Sequence, residues 1–237
     1  MATFLEHFLH FFFPITCEAC GCGLPADDYY RVCQSCREKI RFISGLYCRR
    51  CGIPLPDGGQ HCYHCRQKSS FPYEFLRAAT VYEGAVAGLI YQLKYRHKDY
   101  LKRFLAKLLT DALNQYPELA EADMVIPVPL HWTRKFNRGY NQSALLAEIV
   151  ARHMNKPFFE TILSKKRFTS PQVGLNRDKR LENLQNAFAV RNRATIKGKK
   201  ILLIDDVCTT TSTLEQCAAT LRRAGAAQVS ALTIARD

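Results

Sequence analysis

No apolar run in this chain of 237 residues approaches the roughly 20 residues needed to cross a membrane. The longest one near a terminus, residues 8–13, is interrupted by His10 and stopped at Pro14. A basic leader and a small-residue cleavage site are also missing, which argues against a signal peptide and for a cytoplasmic protein with no membrane span. Glycine and proline are too few, at 12 and 10, for collagen, and 47% apolar residues exclude intrinsic disorder. That composition suffices for one good core and a smaller module. Acidic residues are scarce, Asp+Glu 21 against Lys+Arg 34, and beyond residue 65 cysteine is reduced to Cys208 and Cys217, both expected to be packing residues.

The other nine of the 11 cysteines fall between Cys17 and Cys65, and eight of them form four Cys-x-x-Cys pairs: Cys17/Cys20, Cys33/Cys36, Cys48/Cys51 and Cys62/Cys65. Thiols two residues apart on a tight turn can both face one cation, and two such turns complete a tetrahedral four-thiolate zinc site. A redox motif needs one pair, not four. Two structural zinc ions follow, with no open coordination position implied. The simplest pairing is sequential, Cys17/Cys20/Cys33/Cys36 and Cys48/Cys51/Cys62/Cys65, because 12 and 10 intervening residues suit a ribbon hairpin; a cross-braced pairing stays open. Gly21 and Gly52 follow the second Cys of their pairs, where a knuckle often requires positive φ. Cys22, His61 and His64 are read as neighbours, not ligands. The segment is so poor in aliphatics that folding is expected to need the metal. It defines a first region, residues 1–70, which includes a short amphipathic helix over residues 4–13.

Charge is concentrated as well as unbalanced. Residues 131–200 carry 16 basic and 4 acidic groups, whereas residues 71–130 carry 7 of each. Two zinc ions on eight thiolates leave a net charge of about +9, down from +13. The local excess points to a polyphosphate or nucleic-acid partner.

Residues 71–237 alternate β-rich runs with helical stripes, which predicts an α/β domain with a mainly parallel sheet flanked by helices. Strands are expected at residues 77–82, 124–128, 200–206 and 228–234, with weaker ones at 158–163 and 187–190. Helices are expected at 85–94, 100–114, 143–154 and 213–224. The unit from 200 to 234 reads as βαβ, which places a ligand at the C-terminal end of its first strand.

At that end the run becomes specific. Asp205 and Asp206 close a hydrophobic strand, and Thr209, Thr210, Thr211, Ser212 and Thr213 follow at a helix start. Backbone N–H groups and hydroxyls at a helix N-terminus cradle a phosphate monoester. Paired carboxylates suit a sugar diol or a divalent cation. A ribose 5'-phosphate presents both demands on one molecule, and an ordinary N-cap requires neither five hydroxyls nor a carboxylate pair.

This motif resembles the phosphoribosyl pyrophosphate (PRPP) signature of type I phosphoribosyltransferases. The resemblance implies that Asp205 and Asp206 contact the ribose hydroxyls, that residues 209–213 hold the 5'-phosphate, and that Mg²⁺ accompanies PRPP. Thr211 stands where that family generally has Gly, so a strained or reshaped loop is expected at this β-branched residue. The four Cys-x-x-Cys pairs, residues 90–95, 126–130 and 138–143, Pro171 with Gln172, residues 183–188 and the PRPP loop together resemble the ComF family, in particular ComFC-like competence proteins, which join a double zinc ribbon to a type I phosphoribosyltransferase-like domain. That resemblance implies handling of single-stranded DNA in natural transformation or DNA utilisation, with a DNA-uptake helicase or other competence proteins as partners.

Val128 and Pro129, at a strand end, are expected to expose N–H groups in a turn, with Arg134, Lys135, Arg138 and Lys94 as cations for a diphosphate. Segment 164–186, with Arg177 and Arg180, reads as a mobile hood over the ligand. Trp132, Phe136, Tyr140 and Phe168 alternate with basic residues in the manner of a single-strand stacking surface, and equally of a core. No residue stands out as a general base. Two other readings stay open beside the DNA-processing one: a metabolic phosphoribosyltransferase acting on a nucleobase, and a non-catalytic PRPP-sensing adaptor.

Overall fold

The structure, a computed structural model, describes residues 12–167 and 186–237. Most of the expected N-terminal helix and most of the expected hood, with Phe168, Arg177 and Arg180, lie outside the described residues.

The N-terminal part is built from knuckles and two one-turn helices, α1 (Gln34–Glu38) and α2 (Tyr63–Arg66), each starting directly after a cysteine. There follow β1 (Leu76–Val81), α3 (Gly84–Tyr95), α4 (Lys102–Gln115), β2 (Met124–Pro127), α5 (Trp132–Arg138) and α6 (Gln142–His153). A two-stranded antiparallel piece, β3 (Leu163–Lys165) and β4 (Phe188–Val190), precedes α7 (Arg193–Ile196), β5 (Lys200–Cys208), α8 (Ser212–Arg223) and β6 (Gln228–Arg236). The main sheet runs β1-β6-β5-β2, and every pairing in it is parallel.

Period-two alternation sorts its side chains between two layers. Leu202 and Ile204 of β5, Val125 of β2 and Leu232 of β6 face the core under α3, α4 and α6. Ile201, Leu203, Met124, Ile126 and Ala231 face the opposite core, with Leu214, Cys217 and Leu221 of α8. Of the weak strand expected at 158–163, only Leu163 lies in a strand; Phe158 makes a single bridge to Val125.

A parallel sheet exposes two unpaired edges, and both are covered here. On β2, the Val125 amide donates to Pro157 O (2.9 Å) and Phe159 N donates to Val125 O (3.1 Å). On β1, the segment linking the two ribbons pairs through Ile43 N to Ala79 O (3.0 Å) and Val81 N to Arg41 O (2.9 Å), and Leu76 N donates to Arg50 O (2.8 Å). The second ribbon approaches so closely that a Cβ on Gly52, at φ +70°, would meet the Leu76 carbonyl oxygen at 2.7 Å. Cys17, Leu24, Val32, Cys36 and Ile40 of the first ribbon are buried in the same core as α3 and α4.

Candidate functional site

The knuckles gather their thiols sequentially: Cys17, Cys20, Cys33 and Cys36 form one group and Cys48, Cys51, Cys62 and Cys65 the other, each with all sulfur atoms within 4.8 Å of one another. A tetrahedron with Zn–S of ~2.3 Å has edges of ~3.8 Å. Cys20 and Cys33 Sγ are 3.7 Å apart, as are Cys51 and Cys62 Sγ, so both groups fit structural zinc. Gly21 and Gly52 take the positive φ that the turns require, +80° and +70°. The sets are complete without His61 and His64, and Cys22 lies beside Cys20 and Cys33 as a neighbouring thiol.

The second centre lies at the C-terminal end of β5. Hydrophobic residues on both faces of that strand hold it in mid-sheet, so its end projects the carboxylate pair from a rigid support. Asp205 Oδ1 accepts from Ser143 Oγ at 2.8 Å and from the Asp206 amide at 2.9 Å. Lys94, in the last turn of α3, reaches Asp206 Oδ1 at 2.9 Å. Asp206 is only 3% exposed, and its Oδ2 is buried with no hydrogen-bond partner among the described residues. Burial, with Asp206 beside it, pushes the Asp205 carboxyl up to about 7. Burial pulls the Lys94 ammonium the other way, but the Asp206 charge and hydrogen bond prevail and hold it above its ordinary range.

Past the carboxylates, Thr209 is exposed, Thr210 and Thr213 are half-buried, and Thr211 and Ser212 are buried. The strain expected at Thr211 is not found. Its φ of −57° and ψ of −2° are right-handed, and its backbone serves as the N-cap of α8. Its hydroxyl donates to Glu215 Oε1, and Glu215 Oε2 accepts from Lys68 Nζ at 2.7 Å. A β-branched residue is thus accommodated because the loop enters the helix without a left-handed step.

The strand-end turn after β2 also differs from expectation. The Val128 amide donates to Ile204 O at 2.9 Å and Pro129 has no N–H, so neither residue presents a donor to an anion. Val128 O accepts from Asn141 Nδ2 at 3.1 Å, which fixes the start of α6 and thereby Ser143. Arg138 donates to Gln142 Oε1 and lies over the Tyr95 ring at 5.2 Å. Lys165 borders a pocket of about 170 Å³ with Pro129, Trp132, Lys135 and Asn141, and burial, with Arg134 nearby, brings it down to about 8.

Four residues of this neighbourhood escape a reading of the chain alone: Ser143, Lys68, Glu215 and Arg236. Glu215 stands three residues after Ser212, the capping-box spacing, which is a visible signal for a helix-start contact, although the bond in the structure comes from Thr211; Lys68 and Arg236 carry none. Trp132 and Phe136, spaced one helical turn apart on α5, are 70% and 83% exposed, which removes them from the core. Tyr140 is half-buried, with its hydroxyl donating to Leu93 O. Cys208 and Cys217 are buried packing residues, and burial raises the Cys208 thiol to about 12. Among the described residues, no helix is long and apolar enough to cross a membrane.

Comparison with known proteins bears on both centres. A double zinc ribbon domain model matches residues 8–66, and a phosphoribosyl transferase domain model matches residues 141–237. The chain is 33% identical over 152 residues to competence protein F of Haemophilus influenzae, a match covering 62% of this chain and 66%, just under two thirds, of that protein. It is 32% identical over 168 residues to DNA utilization protein YhgH of Escherichia coli K12, covering 70% of this chain and 73% of the relative. It is 29% identical over 215 residues to competence protein ComFC of Bacillus subtilis, covering 87% and 85%. Among solved structures, glutamine PRPP amidotransferase from B. subtilis is similar with a TM-score of 0.39 and 20% identity, over 58% of this chain and 26% of that one.

Proposed function

The chain belongs to the family of competence protein F, YhgH and ComFC, which joins a double zinc ribbon to a phosphoribosyltransferase-type domain, and we propose that it binds PRPP or a related phosphoribosyl ligand and handles single-stranded DNA. The observation that carries the first half is the buried Asp206 Oδ2, without a partner among the described residues, beside Asp205 and three residues ahead of the five hydroxyl residues that lead into α8. A buried carboxylate oxygen without a donor is costly, and a ribose hydroxyl or a Mg²⁺ ion accompanying PRPP would satisfy it. The N–H groups and hydroxyls of residues 209–213 would hold the 5'-phosphate. Lys94 and Ser143 orient the two carboxylates.

Support for the second half is the exposed aromatic residues among cations: Trp132 and Phe136 on α5, and Tyr91 and Tyr95 on α3 with Arg138 over Tyr95. Exposed rings beside cations suit unstacked bases and a phosphate backbone. The names of the relatives, competence and DNA utilization, agree with that use.

The test is calorimetric titration of the zinc-loaded protein with PRPP in Mg²⁺, alongside Asp205→Asn/Asp206→Asn. Heat of binding that disappears in the double variant is the expected result; unchanged affinity would sink the assignment. For DNA, retention of a labelled single strand falls steeply between 50 and 200 mM salt if about six phosphates are contacted. A flat salt response would remove that half of the proposal.

A further inference from the structure

The second ribbon does not sit apart from the phosphate loop. A cavity of about 320 Å³ separates them, walled on one side by Cys51, Cys62 and Cys65 with Tyr63 and His64, and on the other by Thr209–Thr211 and Arg236. Arg236 lies in this interface. It is 6% exposed, and its Nη1 donates to the carbonyl oxygens of Cys208 (2.7 Å), Thr209 and Asp237 (2.7 Å). The same side chain and Cys51, which carries one of the four sulfur atoms of the second site, wall one cavity, and Arg236 Nε is buried there with no hydrogen-bond partner among the described residues.

The consequence follows from peptide geometry. In a trans peptide the N–H points opposite to the C=O. By drawing the Cys208 and Thr209 carbonyls towards itself, Arg236 turns the N–H groups of Thr209 and Thr210 to the other side of the chain, where successive N–H groups form an anion-binding concavity. A direct tether between ribbon and loop runs from Lys68, three residues past Cys65, through Glu215 to the Thr211 hydroxyl. The first ribbon makes its polar contacts elsewhere: Glu18 accepts from Gln92, Lys98 and Tyr100 of the α3 region.

We propose that Arg236 is a positioning residue that makes the second zinc site and the phosphate loop one unit, so that a metal ion on Cys48, Cys51, Cys62 and Cys65 and a phosphate monoester on residues 209–213 stabilise each other. This rests on the phosphoribosyl reading of the loop. Coupling between two ligands is reciprocal, so the effect can be read from either side.

The experiment follows cysteine accessibility in the zinc-loaded full chain by maleimide labelling and peptide mapping, with and without PRPP and Mg²⁺, and in parallel measures PRPP affinity by calorimetry. PRPP slows labelling of Cys51 and Cys62 about fivefold or more and leaves Cys20 and Cys33 unchanged. Arg236→Ala abolishes that protection and weakens PRPP about tenfold, and Arg236→Lys, which keeps a cationic donor, recovers part of the affinity. Lys68→Ala, at a half-buried tether outside the core, serves if Arg236→Ala does not fold, and weakens protection at the same two cysteines. Protection that is absent, or equal in both ribbons, in a protein that binds PRPP overturns the inference. If the wild type shows no PRPP binding, the phosphoribosyl reading falls by itself. The coupling is then judged on the variants: faster labelling of Cys51 and Cys62 alone supports it, and unchanged rates overturn it.

Discussion

Replacing Lys94 by Met keeps a long side chain in place and removes only its charge. In the wild type the Lys94 ammonium lies 2.9 Å from Asp206 Oδ1, with the Lys94 side chain 21% and the Asp206 side chain 5% exposed. Deleting one member of a buried pair typically costs 3–5 kcal/mol, because the charge left behind stays desolvated. Partial solvent access at Lys94 places this pair at the lower end, about 3 kcal/mol at pH 8. The loss depends on pH in a definite direction. Lys94 lowers the Asp205 carboxyl, which burial already pushes up to about 7; without Lys94 that carboxyl goes higher still, so over a wider range above about pH 4 the native state binds more protons than the unfolded chain. Stability of the variant therefore falls as pH rises, and acid relieves the defect. The defect is therefore smaller at pH 5 than at pH 8. Urea unfolding followed by circular dichroism, with zinc in excess, reads it at both pH values. Adding Asp206→Asn to Lys94→Met restores most of the pH 8 stability. Equal losses at pH 5 and pH 8, or a double variant no better than the single, would refute the reasoning.

Asp205→Asn is expected to stabilise the protein more at pH 8 than at pH 5: burial, with Asp206 adjacent, holds the native carboxyl at about 7, so the wild type loses stability as pH rises from about 4 to 7. Thermal unfolding at the two pH values checks this. Thr211→Gly, although it restores the usual residue of type I phosphoribosyltransferase loops, destabilises by about 1–2 kcal/mol, since it deletes the hydroxyl bond to Glu215 and adds backbone freedom to the unfolded chain; urea midpoints measure it. Trp132→Ala and Phe136→Ala leave the unfolding midpoint within about 0.5 kcal/mol of wild type and each weaken single-strand binding by about 1–3 kcal/mol in a filter or anisotropy assay. Gly52→Ala forces a Cβ to within 2.7 Å of the Leu76 carbonyl at a left-handed φ, and is expected to lower the melting temperature and accelerate labelling of Cys51.

What the residues reveal in advance divides by the distance over which their chemistry acts. The zinc knuckles, the period-two strands and the acidic pair followed by hydroxyls are local patterns, each written within about a dozen residues, and the structure brings the thiols together in the sequential order that hairpin length favours. Lys94 and Asp206 are 112 positions apart, and Ser143 and Asp205 are 62 apart. Nothing in the spacing announces those pairs; they arise because α3 and α6 both pack on the sheet face that β5 shares. Thr211 shows how a local rule fails. The preference of Gly for positive φ is sound, but whether a loop uses positive φ depends on how the chain enters the next helix, and here it enters right-handed with a hydroxyl bond as an added contact. Cysteine usage divides the chain near residue 70, whereas packing does not respect that division: Leu24 and Val32 are buried with Leu105 and Leu109, and Arg236, the penultimate residue, lines a cavity with Cys51. A metal module set apart by its composition thus shares its core with the sheet, and Lys68, through Glu215, ties it to Thr211 in the loop proposed to hold the phosphate.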